Sequence, residues 1–203
     1  GFENDFVWEG KELETKRKEA RKAMIDVAEA CLQHKFEKEP LIVATSGRYE
    51  FRNKGLDVFM ESLKRLASFK LDREILAYVM VPAANNGARA DLVRHMEDAT
   101  QPIDEKQWKH STHYLENTEW DSIARSISGS VLESATSNVK VIFVPSYLNG
   151  NDGVFNKSYY ELLVGMDLTI YPSYYEPWGY TPLESIAFSV PIITTTLAGF
   201  GVW

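Results

Sequence analysis

Short apolar runs of strand length constrain this chain more than anything else in it. LIVAT (41–45) is continuously apolar up to its last residue, and EILAYVMV (74–81) and VKVIFV (139–144) read the same way. Continuous runs of this length fit strands covered on both faces, the state of a parallel sheet between two helix layers. Between the first two lie the loop SGRYEFRNKG and a helix from about 56 to 66. Leu56, Phe59, Met60, Leu63 and Leu66 share one face of that helix. This strand–loop–helix–strand unit is the building block of a doubly wound sheet. The alternation continues through a short helix at 157–165, the strand LTIY (168–171), a helix at 182–188 and the strand PIITTT. The fold class is therefore α/β, with a mostly parallel, Rossmann-like sheet. No internal repeat or low-complexity tract appears.

Upstream of the first strand, residues 11–36 are charged but periodic, with Ala20, Met24, Val27, Ala28 and Cys31 on one face. The pattern predicts an amphipathic helix whose charges face solvent and which Pro40 stops. Phe2, Phe6, Val7 and Trp8 offer apolar anchors before it. Residues 1–40 read as a segment leading from a missing upstream domain, and 41–203 as one domain truncated at its C-terminus. Residues 83–138 are harder to place. AANNGARADLVRHMEDA suggests a loop and a helix, and 119–127 a second helix aligning Trp120, Ile123, Ala124 and Ile127. His110, His113 and Glu116 have a spacing that ligates metal on a helix, but no further ligand accompanies them.

Composition narrows the partners. A net charge of −7 argues against nucleic acid or an anionic membrane, and no apolar run reaches the length of a membrane span. Cys31 is the single cysteine, so an internal disulfide is impossible and an intracellular, cytoplasmic setting is expected. Burial as a small apolar residue explains it better than nucleophilic chemistry.

Two stretches carry chemistry. In YPSYYEPWGYTPLE (171–184), Glu176 and Glu184 stand eight positions apart around Trp178, Gly179 and Tyr180. Thr181-Pro182-Leu183-Glu184 matches a capping box, with Thr181 as N-cap and Pro182 at the first helical position. A strand thus feeds a helix N-terminus, a setting that suits an anion. Spacing alone is served equally well by a capping glutamate and a loop acid among core aromatics. In the second stretch, Arg48 follows the first strand and Lys54 opens the next helix. Ligands of open α/β sheets bind outside the carboxyl ends of the strands, and an Arg fork with a Lys point charge is what a diphosphate requires. By spacing alone, both are also ordinary surface cations.

PSYYEPWGYTPLE and GRYEFRNKG together resemble the animal and fungal type of glycogen synthase, a retaining glycosyltransferase family with two Rossmann-like domains. The resemblance implies that this chain is part of the C-terminal, nucleotide-sugar-binding domain. It implies glucose transfer from UDP-glucose to the non-reducing end of an α-1,4-glucan. Arg48 and Lys54 would hold the pyrophosphate, and Glu176 would sit beside the transferred glucose. Glu184 would accept from the ribose, the Gly179–Thr181 backbone would face the phosphates, and Tyr159, or Tyr160 in its place, would stack on uracil. The family's Arg soon after that tyrosine is missing from ELLVGM. The resemblance implies no metal or other cofactor, a glucan acceptor, an N-terminal domain of the same chain as partner, and no measurable transfer by this piece alone. A homo-oligomeric parent is compatible with it. The alternatives are an ADP-glucose- or sucrose-using transferase of the same architecture and a non-catalytic nucleotide-sugar-binding module.

Overall fold

The structure is a computed structural model that describes residues 7–203; the Phe2 and Phe6 anchors lie outside the described residues. At its centre is a five-stranded, all-parallel sheet. The strands are β1 (Leu41–Ser46), β2 (Ile75–Met80), β5 (Val139–Val144), β6 (Leu168–Tyr171) and β7 (Ile192–Thr194), in the order β5-β2-β1-β6-β7. Strands added outward on one side of β1 and then on the other give the doubly wound, Rossmann-like arrangement, with its reversal of strand order between β1 and β6. A separate antiparallel pair is formed by β3 (Asn85–Ala88) and β4 (His113–Leu115).

The apolar runs divide between two faces with period two. Ile42, Ala44, Leu76, Tyr78 and Met80 face a core built with α1 (Gly10–Leu32), α5 (Tyr159–Leu163) and Leu92 of α3 (Ala90–Glu97). Val43, Ile75, Ala77 and Val79 face α2 (Leu56–Leu66) and α4 (Ser122–Ile127). Val7 and Trp8 pack against the first core, and Trp8 meets Phe188 with ring centroids 5.6 Å apart. Cys31 is buried, which pushes its thiol up to about 12 and leaves it inert.

Helix α1 is bound into this core by ion pairs as well as apolar area. Asp167 accepts from Arg17 and Arg21 at 2.9 Å each, and from the Ile42 N–H at 2.9 Å. The same guanidiniums reach the carbonyls of Val164 and Gly165, so the C-terminal end of α5 finds its donors on α1. No helix among the described residues is long and apolar enough to cross a membrane.

Several expectations change here. Helix α1 ends at Leu32 because Gln33 adopts a left-handed conformation (φ 49°), well before Pro40. Asp121 caps α4, which leaves Trp120 outside the helix and 68% exposed. Residues 110–113 are not helical. Thr112 donates to the Phe143 carbonyl (3.1 Å) and Phe143 to that of His110 (2.7 Å), which covers the outer edge of β5. His110 is bonded to the Val141 carbonyl (2.9 Å) and His113 to that of Asp152 (2.8 Å). His110 thus ties this segment to β5 and His113 ties it to the loop that follows β5, and no cluster with metal-ligand geometry forms among the described residues.

Burial pushes His110 down from 6.5 to about 4, against the Val141 hydrogen bond, which favours the charged ring. A folded-state pKa below the unfolded one contributes stability that is whole above about 6.5 and is lost as pH falls toward 4. Between pH 7 and 4.5 this should remove about 2–3 kcal/mol. Urea midpoints at both pH values are expected to fall less for His110→Gln than for the native chain; an equal fall in both would contradict it.

Candidate functional site

The site is built where the strand order reverses. β1 and β6 are in register only at Val43↔Leu168 and Ala44↔Thr169, whereas β1 and β2 pair along all six residues. The carboxyl ends of β1 and β6 thus frame a cleft, and the loop after each strand enters it: 47–55 and 172–179.

Backbone contacts join these loops. Gly55, the N-cap of α2, has φ 67° and packs so tightly on Pro172 that a Cβ would lie 1.9 Å from its carbonyl oxygen. Two residues away on each loop, the Tyr174 N–H donates to the Asn53 carbonyl at 2.9 Å. The joined loops bring the Lys54 ammonium into direct contact with the Glu176 carboxylate, each side chain less than one-fifth exposed. Glu176 is itself anchored, since its carbonyl accepts from the Gly199 N–H at 2.9 Å. Burial, and then the Arg48 guanidinium, push the Lys54 pKa down, with Glu50 opposing.

The pair lines one recess, and a second adjoins it. The smaller, about 30 Å³, is lined by Thr45, Lys54, Ser173, Glu176, Gly179 and Thr194 among others. The larger, about 600 Å³, has Ser46, Met80 and Pro82 on one side, Tyr147–Asn149 and Tyr159–Tyr160 on another, and Thr181 and Glu184 on a third. Ser46, Gly47 and Thr181 border both.

Helix α6 (Tyr180–Ala187) supplies the third side, and its start differs from the sequence reading. Gly179 is the N-cap, with φ 90°, and no side chain caps the helix; Thr181 and Pro182 already lie in its first turn. The left-handed entry that Gly179 permits begins the helix before Thr181 and so displaces the capping box. A capping box does form at α5, between Ser158 and Glu161. Glu184 turns instead to Tyr160, whose hydroxyl donates to its Oε1 at 3.0 Å. The uncapped first turn of α6 leaves N–H groups beside both recesses.

Of the residues singled out by sequence, Lys54, Glu176, Gly179 and Thr181 meet at the small recess, and Arg48, Tyr159, Thr181 and Glu184 at the large one. Arg48 is not a fixed fork: its side chain is 76% exposed and pairs with Glu50 at 3.2 Å. The Tyr159 hydroxyl is bonded to Ser46 (2.7 Å) and Tyr171 (3.2 Å), and burial pushes this phenol well up. Trp178 and Tyr180 line neither recess. Trp178 packs with Phe200 and Trp203 around α7 (Gly199–Val202), and Tyr180 is exposed. Ser46, Met80 and Tyr147–Asn149 were not singled out. Their one signal was position, at the carboxyl ends of β1 and β2 and just past that of β5.

A doubly wound sheet with a cleft at its switch point and an ion pair inside defines a Rossmann-like, ligand-binding domain. The chain matches the glycogen synthase family over residues 7–104 and 106–203, and it belongs to that family. It is 29% identical to "Glycogen [starch] synthase isoform 1" of Saccharomyces cerevisiae over 220 residues, an alignment covering 78% of this chain and 31% of the relative. It is 28% identical to "Glycogen [starch] synthase, liver" of Homo sapiens over 212 residues, covering 79% of this chain and 30% of the relative. The chain thus spans about a third of the length of the curated relatives it matches.

Because Gly55 meets backbone rather than a flexible side chain, Gly55→Ala is expected to cost about 2–3 kcal/mol through its positive φ and the collision with Pro172. It should also part the two loops. Denaturant titration and limited proteolysis of the two loops in the variant check both, and unchanged values would remove Gly55 from the account.

Proposed function

We propose that this chain carries the donor half of a glycogen (starch) synthase, a retaining hexosyltransferase that moves glucose from UDP-glucose to the non-reducing end of an α-1,4-glucan. One observation carries the reading. Lys54 and Glu176, from loops more than a hundred residues apart, meet at the switch point beside a recess of nucleoside size. The yeast and human relatives, both glycogen (starch) synthases, support the same substrate class.

In this reading the nucleoside occupies the larger recess, with Tyr159 against the base and Glu184 accepting from the ribose. Arg48, Lys54 and the Gly179–Thr181 backbone face the diphosphate. An ammonium has three N–H donors, so Lys54 retains two for phosphate oxygens while it holds Glu176. Exposed Arg48 swings in as the second cation, and the two charges together make a metal ion unnecessary. The bond from glucose C1 to the β-phosphate oxygen breaks. A bond from the acceptor 4-oxygen to C1 forms on the same face, and the acceptor proton passes to the departing phosphate. Glu176 binds glucose hydroxyls and offsets the positive charge that grows on the ring. It is not assigned as a nucleophile, because a two-carboxylate double displacement needs a partner acid close by, and Glu184 is held by Tyr160. Residues 41–203 form the nucleotide-sugar unit in this reading. A cytoplasmic parent protein supplies an N-terminal domain that completes the cleft and holds the glucan.

Calorimetric titration of the chain with UDP and ADP tests this. UDP is expected to bind more tightly than ADP, and Lys54→Ala to weaken UDP at least about tenfold, or 1.4 kcal/mol. A transfer assay on this chain alone is expected to yield no product. Preference for ADP would move the substrate to ADP-glucose, and indifference to Lys54→Ala would remove the diphosphate from this site.

A further inference from the structure

Glu184 is the carboxylate on the wall of the larger recess, and it is not free to choose its orientation. Tyr160 donates its hydroxyl to Glu184 Oε1 at 3.0 Å from the neighbouring helix α5. The Tyr160 ring is fixed on two sides. It stacks on buried Phe188, with centroids 5.1 Å apart and planes at 17°, and it meets Tyr159 edge-on at 5.8 Å. Phe188 follows Glu184 by one helical turn and donates its N–H to the Glu184 carbonyl at 3.1 Å. The ring therefore lies along the 184–188 face of α6, and its hydroxyl lands on the carboxylate. Burial and then the Glu184 hydrogen bond push the Tyr160 phenol up to about 12, so it remains a donor at any pH the protein meets.

We propose that Tyr160 is a positioning residue: by occupying one oxygen of Glu184 it holds the other toward the recess, where it accepts from the vicinal ribose hydroxyls of a nucleoside diphosphate. This rests on the assignment of Glu184 to the ribose made above. A free glutamate samples several rotamers, and each hydrogen bond to a ligand must then overcome that freedom. Tyr160 restricts them before the ligand arrives, as a supporting side chain does in a preorganised site. The neighbouring Tyr159 does not share this role, since its hydroxyl is directed to Ser46 and Tyr171.

The test compares UDP with 2′,3′-dideoxy-UDP by calorimetry on the native chain, on Tyr160→Phe and on Glu184→Gln. Tyr160→Phe keeps the ring and its stack on Phe188, and an unchanged thermal midpoint shows that the fold is intact. The native chain should prefer UDP about tenfold or more, in line with hydrogen bonds to a charged group. Glu184→Gln should erase most of that preference. Tyr160→Phe should reduce it to about threefold or less while leaving dideoxy-UDP affinity unchanged, which a purely structural role for the ring would not do. A native preference that Glu184→Gln erases and Tyr160→Phe leaves whole would overturn the positioning role alone. A native chain indifferent to the ribose hydroxyls would instead overturn the assignment of Glu184, and this inference with it.

Discussion

The diphosphate-sugar reading of this chain depends on the contact between Lys54 and Glu176. An ion pair less than one-fifth exposed adds little net stability, because removing both charges from water offsets most of their attraction. The contact therefore does not hold the loops together; the backbone does. Gly55 lies against Pro172 with no room for a Cβ, and Tyr174 is bonded to Asn53. The ion pair is what these locks achieve, a cation and an anion fixed side by side in a cleft. Such an arrangement suits a ligand that carries a diphosphate at one end and a polyhydroxyl ring at the other.

The cleft in turn follows from the sheet. β1, β2 and β5 pair along their full lengths, so one half of the sheet is a continuous slab with apolar side chains on both faces. β6 joins β1 for only two register pairs, and the β7 side continues outward from it. The divergence opens at the carboxyl ends, where no strand is left to fill it. Helix α1 and its ion pairs with Asp167 reinforce the sheet beneath that opening, near the start of β6. The rigid half lies below the site, and the loops carry the chemistry.

Much of this was legible in the sequence. The strands revealed themselves because residues covered on both faces must be apolar at nearly every position, and α2 because four residues of its apolar stripe are fully buried. Arg48, Lys54, Glu176 and Glu184 could be placed at one sheet edge because connections in such folds put loops there. What escaped depended on long-range geometry. β3 and β4 pair across 25 residues through Asn-Asn-Gly-Ala, a segment with no alternation to read. The start of α6 was misread because Thr181-Pro182-Leu183-Glu184 satisfies a local rule that Gly179 pre-empts. Local pattern also could not show that Glu184 answers to Tyr160 rather than to its own helix. Nor could it show that Trp178 packs toward α7.

The most direct measurement is a double-mutant cycle on UDP-glucose binding with Lys54→Met, Glu176→Gln and the pair of them together. If the two side chains form one site, as the contact implies, their effects will be non-additive, with a coupling energy of about 1 kcal/mol or more. Effects that add within about 0.3 kcal/mol would mean that Lys54 and Glu176 act independently, and the account of a single joined site would be wrong.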